Sequence, residues 1–141
     1  MEKYLFIILF LFFAVHSNAQ QRKNIIFLDA VVMPADSNSN CIITFKIPYQ
    51  HLLFKKNGSG YLSGITLNME ISSAGKKTIY KSISKGVFLN NYQQTLSKDN
   101  YLEGLVNLSL LRGRYKLKST LIVKYLKKFI ELPKLSFVVE D

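Results

Sequence analysis

The chain has 141 residues, with 19 Lys+Arg against 9 Asp+Glu for a net charge of +10, one Cys, two His and no Trp. A single thiol excludes an intrachain disulfide framework. A content of 48% hydrophobic and 20% charged residues argues against intrinsic disorder.

Residues 1–19 read as an export signal. Glu2-Lys3 forms a thin charged start, an unbroken apolar run extends from Tyr4 to Val15, and Ser17 and Ala19 supply the small-x-small pattern for cleavage after Ala19. The run covers only about 18 Å as a helix, against roughly 30 Å of hydrocarbon, so no transmembrane span is expected once the signal is cut. Cys41 lies too far from the cut to carry a lipid anchor. The expected mature chain, residues 20–141, is one domain's worth of sequence. It loses Lys3 and Glu2, so its charge stays at +10. The signal places it outside the cytoplasm: in the periplasm, at the outer-membrane periphery, or secreted.

Along the mature chain the apolar residues recur with period two, the mark of half-buried strands. Residues 25–32 and 41–47 predict two strands around a polar loop at 34–40. In the second, Cys41 alternates with Ile43, Phe45 and Ile47, which predicts a buried thiol. Asn57-Gly58-Ser59-Gly60 is a turn, without the lysine and helix of a phosphate-binding loop. The 60–71 strand puts Tyr61, Ile65, Leu67, Met69 and Ile71 on one face and Thr66, Asn68 and Glu70 on the other. Residues 72–76 form a turn in which Gly75 can take positive φ.

Residues 78–85 return as an edge strand, because Lys81 and Lys85 share a face with Ile79 and Ile83 and would discourage further pairing. A polar loop at 88–99 crosses between sheets. The 101–110 strand sets Leu102, Val106, Leu108 and Leu110 against Glu103 and Asn107. Arg112-Gly113 turns the chain into a 114–124 strand with Tyr115, Leu117, Leu121 and Val123 inward and Lys116, Lys118 and Lys124 outward. A last strand covers 134–139. About seven short strands predict an all-β fold, an antiparallel immunoglobulin-like β-sandwich. A closed β-barrel is the structural alternative. A parallel α/β sheet, whose strands are apolar on both faces, does not fit the alternation.

Two stretches carry a resemblance. Ile47-Pro48-Tyr49 with Leu52 and Phe54, then Tyr61 opening a long alternating strand, resembles the N-terminal β-sandwich of exported bacterial GWxTD-domain proteins. Leu110-Leu111-Arg112-Gly113-Arg114-Tyr115-Lys116-Leu117 is similar to the Leu-x-x-Gly-x-Tyr-x-Leu late in that sandwich. The likeness spans roughly residues 25–139. The chain departs from the family in having no Trp, hence no Gly-Trp-x-Thr-Asp motif, and in carrying Lys124-Tyr125 where an acidic residue is common. The resemblance implies a sandwich and export; the chain reads as a relative without the second domain. In immunoglobulin-like domains a tyrosine after a turn glycine caps nearby backbone, the structural role expected of Gly113 and Tyr115.

Catalytic chemistry finds little support. His51 is the one imidazole outside the signal, and no hydrolase or metal motif accompanies it. The carboxylates are scattered, with Glu70 and Glu103 on outward positions of separate strands. No cofactor and no metal site are expected. The cations, in contrast, gather: Arg112, Arg114, Lys116, Lys118, Lys124, Lys127, Lys128 and Lys134 fall within 23 residues. Lys116 and Lys118 stand about 6.6 Å apart on one strand face. The first seven form a candidate surface for an anionic partner, such as lipid headgroups, a phosphorylated glycolipid or an acidic protein patch. No nucleic-acid recognition motif is visible. The expected function is a non-catalytic envelope domain that binds or scaffolds another component. The alternatives are a carbohydrate-binding module using Tyr80, Tyr92, Tyr101 or Tyr125, and a glycan-active enzyme.

Overall fold

Alternating side chains build two antiparallel sheets, seen in a computed structural model that describes residues 26–34, 38–126 and 128–140. The predicted export signal, the first residue of the predicted 25–32 strand and the middle of the predicted 34–40 loop lie outside the described residues. In chain order the strands are β1 (Phe27–Met33), β2 (Ser39–Pro48), β3 (Lys55–Asn57), β4 (Gly60–Ser72), β5 (Ile79–Leu89), β6 (Tyr101–Leu110), β7 (Gly113–Val123), β8 (Phe129–Glu131) and β9 (Leu135–Val139).

The smaller sheet has the order β1-β2-β6. The larger sheet is four rows wide. β4 pairs along one side with β5 and along the other with β3 and then β7, and β7 in turn takes β8 and β9 on its far side. The two sheets are separate, so the fold is a sandwich and not a closed barrel. Between them lies the core, in which Ile43, Phe45, Ile47, Leu67, Leu117 and Leu121 are at most 1% exposed. Each occupies an inward position of the period-two pattern. Ser39 Oγ donates to the Glu140 carbonyl at 3.3 Å and ties the smaller sheet to the end of β9.

Three features differ from the sequence reading. Nine strands are described rather than seven, because β3 and β8 are three residues each, too short for alternation to mark them. β5 runs on to Leu89, since pairing with Tyr61–Gly64 of β4 holds residues 86–89 in the sheet. The polar crossing that follows contains one helical turn, α1 (Tyr92–Thr95), capped by Asn91, whose side chain accepts from the Gln93 N–H at 2.8 Å. β5 pairs with β4 alone, as an edge strand should, and the Lys85 ammonium reaches across to the Glu103 carbonyl on β6.

The Ile47-Pro48-Tyr49 stretch ends β2 and turns through a 3-10 segment, Tyr49–His51. There the Tyr49 N–H donates to the Asn100 carbonyl at 3.0 Å and its ring meets Phe54 edge-on at 5.8 Å. At the β6–β7 corner the buried Tyr115 hydroxyl donates to the Leu111 carbonyl at 2.7 Å. Gly113 has φ +155°, and a Cβ there would come 2.9 Å from the Lys76 Nζ. That ammonium donates to the Leu111 carbonyl and the Tyr115 hydroxyl at 3.3 and 3.2 Å, and to the Arg112 carbonyl. The β4–β5 turn is thereby fastened to the corner.

Candidate binding face

The outer face of the larger sheet is assembled from alternate residues of β5, β4 and β7, and register decides which of them meet. Tyr80, Glu70 and Lys118 form one cross-strand row. Ser82, Asn68, Thr120 and Glu131 form the next, and Ser84, Thr66, Ile122 and Phe129 the one after. Side chains bond along these rows: Ser82 Oγ donates to Asn68 Oδ1 at 2.7 Å, and the Thr66 and Ser84 hydroxyls lie 2.8 Å apart. The Lys118 ammonium stands 3.6 Å from the Glu70 carboxylate, a solvent-exposed pair of small energetic weight.

Three depressions follow one another along β7. Arg114 and Lys116 line the first, together with Ser72 and Ser136. Lys118 and Thr120 line the central one, of about 640 Å³, with Asn68, Glu70, Tyr80 and Ser82. Ile122 and Lys124 line the third with Thr66 and Ser84. Glu131 and Lys134 complete the wall of the central depression.

The cation cluster read from the sequence is therefore divided by the fold. Arg114, Lys116 and Lys118 form an exposed stripe on β7, and Lys124 extends it beyond Thr120 and Ile122. Arg112 sits apart at the β6–β7 corner, Lys128 precedes β8 on the outermost row, and Lys127 lies outside the described residues.

The four candidate tyrosines do not share a platform. Tyr80 is 72% exposed on the outer face of β5. Tyr92 packs on Tyr61 at 5.6 Å, while Tyr101 belongs to the other sheet. Tyr125, at φ 68°, has the Lys55 and Lys124 ammonium groups 4.6 and 5.1 Å from its ring centroid.

Glu70 and Glu103 are on outer faces of different sheets, Glu103 pairing with Lys46 at 3.2 Å, so they form no catalytic pair. Cys41 is fully buried and burial pushes its thiol pKa up, the opposite of what a nucleophile requires. His51 is exposed at the end of the 3-10 turn, 3.5 Å from the Gln50 side chain. Among the described residues no group of His, Cys, Asp and Glu is arranged to hold a metal ion. No described helix is long and apolar enough to cross a membrane. Compared with protein-family models and with curated proteins, the chain has no significant match.

Sequence reading missed the Ser–Asn–Thr floor and Glu131. The outward polar positions of β4 were visible as Thr66 and Asn68. Their partners on β5 are set by cross-strand register, which one strand's periodicity does not contain.

Proposed function

We propose that the protein is an exported, non-catalytic binding domain that engages an acidic component of the cell envelope through the outer face of its larger sheet. The supporting observation is the placement of Arg114, Lys116 and Lys118 along one strand, with Lys124 just past its end, where successive members line successive depressions. Lysines that only guarded a sheet against further pairing would be expected on its edges. Arg114, Lys116 and Lys118 are on β7, an interior row. The export signal and the resemblance to the GWxTD-associated sandwich support the same setting.

The test is retention of purified protein by envelope fractions at low and high salt, comparing the natural chain with a Lys116→Gln, Lys118→Gln variant. Retention that falls with salt and with both substitutions is the expected result. No retention at low salt, or retention indifferent to the substitutions, refutes the reading.

A glycan-active enzyme is the second reading, because Glu70 and Glu131 line one depression. Saccharide cleavage by the natural chain that is lost in Glu131→Gln would favour it.

A further inference from the structure

We infer that the acidic component is a polysaccharide bearing carboxylate groups, a uronic-acid-type chain lying along β7 across the three depressions. This rests on the binding-face reading above and specifies its ligand. Four properties of the face select that chemistry.

The first is length. The depressions follow β7 from Arg114 to just past its end at Lys124, about 33 Å at roughly 3.3 Å per residue. A row of depressions of that extent accommodates a chain, whereas a single small molecule would occupy one depression. The second is the floor, where the neutral donor-and-acceptor groups of Ser72, Thr66, Asn68, Ser82, Ser84 and Thr120 lie among apolar side chains such as Ile122 and Val138. Because Ser82 already donates to Asn68 Oδ1, the amide Nδ2 of Asn68 is the end offered to a ligand. Sugar hydroxyls are the natural complement of such a surface. An extended peptide, by contrast, would add to a free sheet edge.

The third property is Tyr80, 72% exposed beside Glu70 on the rim of the central depression. Its ring face carries the negative side of the aromatic quadrupole, which attracts the polarised C–H bonds on the flat side of a pyranose. The fourth is charge. Arg114, Lys116, Lys118, Lys124 and Lys134 outnumber Glu70 and Glu131 along the three depressions. A neutral glycan would leave that excess unmatched, and regularly spaced carboxylates would meet it.

Affinity electrophoresis and calorimetry with the purified protein test the assignment, using polygalacturonate, neutral dextran and polyglutamate as probes. Polygalacturonate is expected to bind at least about tenfold more tightly than polyglutamate, and dextran to bind weakly or not at all. Tyr80→Ala should weaken polygalacturonate binding by roughly tenfold without changing the circular dichroism spectrum, since the residue is exposed. Lys116→Gln should weaken it and reduce its salt dependence. Equal binding of both polyanions, unaffected by Tyr80→Ala, would overturn the polysaccharide assignment while leaving the basic face as a binding surface. Failure of every polyanion to bind at low salt would overturn both.

Discussion

Replacing Tyr115 by Phe removes one oxygen and leaves the ring in place. That ring is 4% exposed and stacks on Phe137 at 5.7 Å with planes 15° apart, so its packing should survive. The substitution deletes the hydroxyl's bond to the Leu111 carbonyl and the bond it receives from Lys76. Neither partner is stranded: the Leu111 carbonyl keeps Lys76 Nζ at 3.3 Å, and Lys76 keeps the Arg112 carbonyl. The loss should therefore be that of ordinary hydrogen bonds, about 1–1.5 kcal/mol, without the penalty for a buried orphan. Tyr115→Ala also opens a cavity and should cost about 3–5 kcal/mol. Urea unfolding followed by circular dichroism separates the two, and Tyr115→Phe should lower Tm by about 5 °C. A cycle with Lys76→Met should show positive coupling, because the ammonium contacts both the hydroxyl and the ring face, 5.1 Å from its centroid. Unchanged stability in Tyr115→Phe would refute the reasoning, as would a loss equal to that of Tyr115→Ala.

Three further outcomes are expected. Cys41, fully buried with a raised thiol pKa, should react with a disulfide reagent at pH 8 only as fast as the domain opens, and rapid native-state labelling would contradict this. Gly104→Val should destabilise by about 1–3 kcal/mol in chemical unfolding, because a Cβ at Gly104 would fall 2.6 Å from the Phe45 ring directly across the strand pair. Ser119→Ala should be neutral or stabilising by up to about 1 kcal/mol in the same assay, since the Ser119 hydroxyl is buried with no partner among the described residues; a loss above that amount would show that the hydroxyl is satisfied.

Local regularity separated what could be read from what could not. β6 and β7 were legible nearly to the residue, because long runs of alternation leave one way to bury Leu108, Leu110, Leu117 and Leu121. β8 was not, because Phe-Ile-Glu is held in strand by pairing with Thr120–Ile122 and not by its own pattern. The end of β5 was obscured for a similar reason. Asn90, Asn91 and the glutamines of α1 gave that stretch the composition of a loop, yet Val87, Phe88 and Leu89 find partners on β4.

The candidate site divides along the same line. Outward lysines at 116 and 118 follow from period two alone, as does the inward tyrosine at 115. That these lysines adjoin a floor of Asn68, Ser82 and Thr120, with Tyr80 on its rim, depends on residues up to 52 positions apart in sequence being brought into register. So does the separation of Glu70 from Glu103.

By itself, the sequence determined the strand pattern, the buried thiol and the gathering of positive charge late in the chain, each a consequence of near-neighbour spacing. Only the tertiary structure decided which strands share a sheet. That choice set Arg114, Lys116 and Lys118 on an interior row of the larger sheet and parted them from Arg112 and Lys128, because cross-strand pairing and two-sheet packing act between segments whose separation no local period encodes.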